Sequence, residues 1–168
     1  MGRWRPPPPA SSKYITPQGK KRLEDELDFL WRKKRPEVTK ALSEAAAEGD
    51  RSENAEYIYR KKQLREIDSR VRFLRKRLEG MKVVGHVPED TGRVFFGAWV
   101  TVEDEQGSET RYRIVGPDET DFKNNLISMD SPMGKALMGK RLDAEVEVET
   151  PQGKQFLYIV DIAYERNG

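Results

Sequence analysis

Cysteine is absent from this chain, and histidine occurs once, as His86. Those two facts remove disulfides, thiol chemistry and Cys/His zinc sites together. A chain without cysteine also fits a reducing cytoplasm. No apolar run is long enough to span a membrane or to serve as a signal-peptide core. A soluble, cytoplasmic protein is therefore expected. Nor does any pattern supply a nucleophile with a base and an oxyanion hole, so the isolated chain does not read as an enzyme.

What is abundant is charge. Charged residues make up 36% of the 168 residues and the mean hydropathy is -0.85, which leaves room for one or two small domains but no single large core. The net charge of +2 hides segregation, because between Arg60 and Arg77 the only acids are Glu66 and Asp68 among many lysines and arginines.

Residues 1–13 include Pro6 to Pro9 followed by Ala10-Ser11-Ser12, a polyproline or disordered tail. Thr16-Pro17 then reads as a helix start, with Thr16 as N-cap and Pro17 in the first turn. Leu23, Leu27, Leu30, Val38, Ala41 and Ala45 recur at near-helical spacing, Pro36 interrupts them, and Gly49 is placed to end the helix. A second helix carries Leu64, Ile67, Val71, Leu74, Leu78 and Met81 at alternating spacings of three and four. That is a coiled-coil seam. Two such helices joined by a short turn form an antiparallel hairpin reaching roughly 40 Å at about 1.5 Å per residue.

Beyond Gly80 the period changes to two. Val94, Phe96, Ala98, Val100 and Val102 alternate, as do Tyr112 and Ile114, then Ala144, Val146 and Val148, and finally Phe156, Tyr158, Val160 and Ile162. Ser131-Pro132 opens a short helix in between. The expected fold class is α+β: a tail over 1–13, a coiled-coil hairpin over 14–84 and a mostly antiparallel sheet domain over 90–168. Gly85, Pro88 and Gly92 mark the boundary.

Two features carry chemistry. The segment Gly49-Asp50-Arg51-Ser52-Glu53-Asn54-Ala55-Glu56-Tyr57 sets Asp50 and Glu53 at the hairpin tip. An Asp-x-x-Glu pair there is an acceptable capping box for the second helix, with Ser52 as a competing N-cap. The same pair can hold one hard cation, but Mg²⁺ asks for six oxygens and two carboxylates leave the site incomplete. The second feature is cationic. Lys61, Arg65, Arg72 and Lys76 share roughly one face, and Lys62, Arg70, Arg75 and Arg77 add to its field. With so few acids to pair with, this stripe suits a phosphate backbone, and without an alternating aromatic platform on the helix it is not expected to read bases. Trp31, Trp99 and Phe95-Phe96 read as packing residues, and His86 as a surface or boundary residue.

Several stretches together resemble the Gre family of bacterial transcript-cleavage factors, nearer its GreB branch than its GreA branch. The tip Gly49 to Tyr57 is similar to the family's tip. LWRKKRPEVTK (Leu30 to Lys40), GRVFFGAWV (Gly92 to Val100), RYRIVGPDE (Arg111 to Glu119) and ISMDSPMGKALMGK (Ile127 to Lys140) also match in order. The resemblance spans Thr16 to Tyr164 and implies an FKBP-like C-terminal domain that docks on the rim of the RNA polymerase secondary channel. It implies a coiled coil inserted in that channel to stimulate RNA cleavage in backtracked complexes. On that pattern Asp50 and Glu53 are the tip acids, sharing Mg²⁺ with the polymerase, and Lys61, Lys62, Arg65, Arg72 and Lys76 hold the 3′ RNA. Asp130, Ser131 and Pro132 are the docking candidates, the protein acting as a monomer. Two other readings stay open: a channel-binding inhibitor of the same architecture, and a structural protein that binds RNA or DNA without polymerase.

Overall fold

The protein is described by a computed structural model over residues 11–49 and 54–165. Asp50, Ser52, Glu53 and the run Pro6 to Pro9 lie outside the described residues. The chain divides into two compact units, one of them Gln18–Met81 and the other joining the segment before it to Lys82 and beyond.

The helical unit is a hairpin. Its first arm comprises α1 (Pro17–Phe29), a π-helical turn (Leu30–Lys34) and α2 (Arg35–Ala47); its second arm is α3 (Ala55–Glu79). The interruption expected at Pro36 takes the form of that wider turn. Proline lacks an N–H, and in a regular helix its ring collides with the carbonyl four residues back. Here the Arg35 N–H reaches back to the Leu30 carbonyl, which shifts the hydrogen-bond register just ahead of the proline.

Val38, Ile67 and Val71 form a buried cluster between the arms, with Leu27, Leu30 and Leu64 packed against it. At about 1.5–3 kcal/mol for each fully buried aliphatic side chain, this stripe dominates the hairpin's stability. Exposed ion pairs add at most about 1 kcal/mol each. The arms run antiparallel, since Glu26 meets Arg70, Arg35 meets Asp68, and the Ala45 carbonyl meets Asn54.

The second unit is built on a five-stranded sheet of order β5-β4-β3-β7-β6. Its strands are β3 (Trp99–Glu103), β4 (Glu109–Val115), β5 (Leu126–Ser128), β6 (Glu145–Thr150) and β7 (Gly153–Ala163). The short helix α4 (Pro132–Leu137) packs on it. Val94, Ala98, Val100, Val102, Ile114, Leu137, Val146, Val148, Leu157 and Ile159 make the core.

The sheet is mostly antiparallel, as expected, and β5 adds one parallel pairing with β4. The crossover before β5 uses two 3-10 turns and a left-handed Asn125 at φ 56° to bring the chain back in that direction. The alternation beginning at Val94 does not mark a strand until Trp99, since the chain turns at Gly97 with φ 88°. Along β7 the expected inward set was out of phase. Leu157 and Ile159 are the buried residues, while Tyr158 and Val160 face out. The register moves from Thr101↔Asp161 to Val102↔Ile159, leaving Val160 as the extra residue of a bulge, and beyond it Ile162 returns to the core side.

Residues 14–17 and 82–84, grouped with the hairpin in the sequence reading, belong to this unit, so that α1 starts on its last residue before the hairpin, Pro17. Strand β1 (Tyr14–Ile15) pairs in parallel with β2 (Lys82–Val83). Thr16 is buried, and its backbone N–H donates to Glu119 Oε2 at 3.0 Å while its hydroxyl donates to Glu119 Oε1. The Gly116 N–H completes the set on that buried carboxylate at 2.8 Å.

Candidate functional site

The two arms are fastened to each other at the ends of the tip segment. Gly49, in a conformation with φ 139° that L side chains rarely adopt, follows α2. Asn54 precedes α3 and is its N-cap: Oδ1 accepts from the Tyr57 N–H at 3.1 Å. The same side chain donates through Nδ2 to the Ala45 carbonyl at 2.7 Å, a carbonyl that also accepts from the Glu48 N–H at 3.2 Å, so one residue caps the start of α3 and ties it to the end of α2.

This corrects the capping-box expectation. The N-cap of α3 is Asn54, not Asp50 or Ser52, and an Asp50/Glu53 box would have started the helix four residues too early. Both tip acids lie outside the described residues. Among the described residues no three His, Cys, Asp or Glu side chains come together as a metal site.

The cationic face is as the spacing predicts. Lys61, Arg65, Arg72 and Lys76 are exposed on α3, and none of these four has an ion-pair partner among the described residues. Lys62 differs, lying 4.0 Å from Glu66, and Arg60 is held by Glu56 at 2.8 Å. Arg70 is bound to Glu26 at 2.7 Å. Glu56, Glu66 and Asp68 are thus matched to other neighbours, and although Glu79 lines a groove with Arg72 and Lys76, none of the four central cations has an ion-pair partner among the described residues.

Sequence reasoning missed what the opposite arm brings to this face. Trp31, in the π turn, is exposed, with the Arg75 guanidinium 4.4 Å and the Arg35 guanidinium 5.3 Å from its ring centre. Asp68 accepts from Arg35 Nε at 2.7 Å, and this bond and the opposite charge hold the Arg35 guanidinium above its ordinary pKa. Near the other end of α3, Lys61 lies 5.9 Å from the Tyr57 ring. On α3 itself the exposed Phe73 follows Arg72, with the Arg70 guanidinium 5.3 Å from its ring centre, and the pairing of the arms adds Trp31 beside Arg72.

In the sheet unit, Asp130 accepts from the backbone N–H of Ser12 at 2.9 Å and from its hydroxyl at 2.6 Å. Ser131 caps α4, accepting from the Gly134 N–H at 3.0 Å, and Pro132 is exposed in its first turn. Two of the three docking candidates therefore have local structural duties, and Pro132 alone presents its side chain openly. Trp99 is covered by arginines, with Arg111 at 4.5 Å, and Phe96 packs on Tyr14 with ring centres 6.0 Å apart, as packing residues should. Exposed His86 lines an apolar groove of the same unit with Val87, Phe95, Phe96 and Met129.

Two family models match the chain: Transcription elongation factor, GreA/GreB, C-term, over residues 89–164, and Transcription elongation factor, N-terminal, over residues 13–83. Transcription elongation factor GreB of Pseudomonas aeruginosa is similar at 65% identity, covering 98% of this chain and 98% of its own. The protein of the same description from Pasteurella multocida is 59% identical, covering 94% of this chain and 99% of its own. The crystal structure of GreA factor homolog 1 of Thermus thermophilus is 29% identical over 89% of this chain and 97% of that one, with a TM-score of only 0.40.

Proposed function

The chain belongs to the GreA/GreB family of transcription elongation factors, and on that premise we propose that its two units divide one task on bacterial RNA polymerase. It is a GreB-like factor that binds the polymerase and enters the secondary channel. There it stimulates the polymerase's intrinsic endonucleolytic cleavage of 3′ RNA in backtracked, arrested complexes. It is not itself the enzyme. The sheet unit, assigned as FKBP-like, docks at the channel rim, with Asp130, Ser131 and Pro132 as candidates for the docking edge. The hairpin carries Asp50 and Glu53 to the polymerase active centre. The protein works in the cytoplasm as a monomer; among the described residues no helix is long and apolar enough to cross a membrane.

The observation that supports the tip role is the double bond of Asn54. Because that residue both caps α3 and ties it to α2, neither Asp50 nor Glu53 is needed as the helix cap. Two hard oxygen donors suit Mg²⁺ only when further ligands come from elsewhere, which fits an ion shared with the polymerase. When bound, such an ion activates water and stabilises the leaving oxygen in phosphodiester hydrolysis. The part of this chain is to place two carboxylates and to offer Lys61, Lys62, Arg65, Arg72 and Lys76 to the phosphates of the extruded RNA.

The test is a stalled, backtracked complex given wild-type protein or Asp50→Asn. Wild type shortens the RNA and releases a 3′ fragment, while Asp50→Asn binds polymerase and folds normally but stimulates little cleavage. Full stimulation by Asp50→Asn refutes the metal role. A complex that stalls without shortened RNA in wild type points to an inhibitor instead.

A further inference from the structure

Resting on that reading, we propose that Trp31 and Arg75 form a stacking site for one nucleobase of the extruded single-stranded RNA. The groove between the π turn and the last turns of α3 has a volume of about 380 Å³. Trp31, Val71, Arg72, Arg75 and Lys76 line it, with two carboxylates, Asp68 and Glu79. That is the low end of the roughly 300–1,000 Å³ typical of ligand pockets, room for a base and little more.

A simple staple between the arms accounts for only part of this cluster. Arg35 lies over Trp31 and is closed off by Asp68, so it is a finished cross-arm contact. Arg75 lies closer to the ring, at 4.4 Å, and has no carboxylate partner among the described residues. Arg72 and Lys76 line the groove beside it. An indole left 45% exposed beside three cations that have no ion-pair partner among the described residues keeps apolar ring surface in water without completing a core. The combination is what single-stranded nucleic acid uses: a base stacks on an aromatic ring or a guanidinium plane while neighbouring cations take its phosphates. Every base has a π face, so the site is indifferent to sequence, in keeping with a factor that must act wherever polymerase backtracks.

Position adds a length requirement. Arg75 lies roughly 30 Å along α3 from Asn54 at about 1.5 Å per residue, so only an RNA extruded well beyond the tip meets this site. The stripe from Lys61 to Arg72 then acts as the track that leads there.

The experiment uses full-length protein and backtracked complexes with a long extruded RNA, either intact or carrying one abasic nucleotide moved along the extruded stretch. With wild type, one position of the abasic nucleotide should slow stimulated cleavage at limiting factor by about fivefold or more, the scale of one base–aromatic stack. With Trp31→Ala the reaction on intact RNA should slow to the same extent, and the abasic nucleotide should cost nothing further. Trp31→Phe, which keeps a ring, should restore most of the abasic effect. An abasic penalty that survives Trp31→Ala at its full size overturns the proposal, as does the lack of any sensitive position in wild type. A variant that was merely misfolded would lose activity yet keep that penalty. If wild type shortens no RNA at all, the cleavage reading itself fails and the stacking site falls with it.

Discussion

Asn54 is where structure and activity can be separated by substitution. Its side chain makes two hydrogen bonds of different kinds, one to the Tyr57 N–H within α3 and one to the Ala45 carbonyl across the hairpin. Ser also caps helices well but is shorter than Asn and cannot reach as that amide does, so Asn54→Ser keeps the first bond and loses the second. Ala loses both. A lost cap costs about 0.5–2 kcal/mol and a lost hydrogen bond about 0.5–1.5 kcal/mol. Asn54→Ser should therefore lower stability by roughly 1 kcal/mol and Asn54→Ala by about 1–3.5 kcal/mol. On a unit of this size 1 kcal/mol lowers the midpoint by about 4–8 °C. Helix melting followed at 222 nm reads these shifts, and RNA shortening in backtracked complexes reads the consequence for function. Cleavage should fall for both variants even at temperatures where both remain folded, because the arm ends that position Asp50 and Glu53 have come apart. If Asn54→Ser melts with wild type, the bond to Ala45 contributes nothing. If Asn54→Ala is no worse than Asn54→Ser, Asn54 is not the cap. If both cleave normally while folded, the clamp does not aim the acids.

Two further predictions concern the sheet unit. A Cβ at Gly116 would sit 2.0 Å from the Tyr14 carbonyl oxygen, which is backbone, so Gly116→Ala must push β1 away and should cost on the order of 1–3 kcal/mol or more. Gly92→Ala is the control, since its nearest contact would be an ordinary 3.5 Å from Asp90 Oδ1, and urea unfolding should separate the two. Tyr164 donates to the Arg93 carbonyl and accepts from the Phe95 N–H, and burial, aided by Asp90, raises its pKa while the Phe95 bond lowers it. A phenol whose folded pKa lies above its unfolded value stabilises the fold at lower pH, and that contribution is lost as pH rises from about 10 through the folded value. The stability gap between wild type and Tyr164→Phe should hold at neutral pH and shrink above about pH 10; a gap that stays constant to higher pH would show that ionisation of this hydroxyl is not linked to folding.

How far the sequence could be read depended on whether a signal was local. The seam Leu64, Ile67, Val71, Leu74 is a repeat along one helix, and the burial of Ile67, Val71 and Leu74 follows it. The cationic stripe is likewise a matter of helical spacing, and its lack of partners could be judged from the few acids nearby. Strand β7 was harder, because Phe156, Leu157, Tyr158, Ile159 and Val160 are apolar on both faces and alternation cannot choose between them; the bulge at Val160 answers to β3, a strand far away in sequence. The tip failed for a related reason. Asp50, Ser52 and Asn54 are all acceptable caps, and what selects Asn54 is the Ala45 carbonyl, which comes within reach only when the arms pair. A carboxylate in place of Asn54 could still cap α3, but it could not donate to that carbonyl. An amide at this one position thus serves both arms together. The same pairing places Trp31 over Arg75. Both features of the hairpin that escaped the linear reading are contacts between its arms, and a contact between arms has no signature in the spacing along either one.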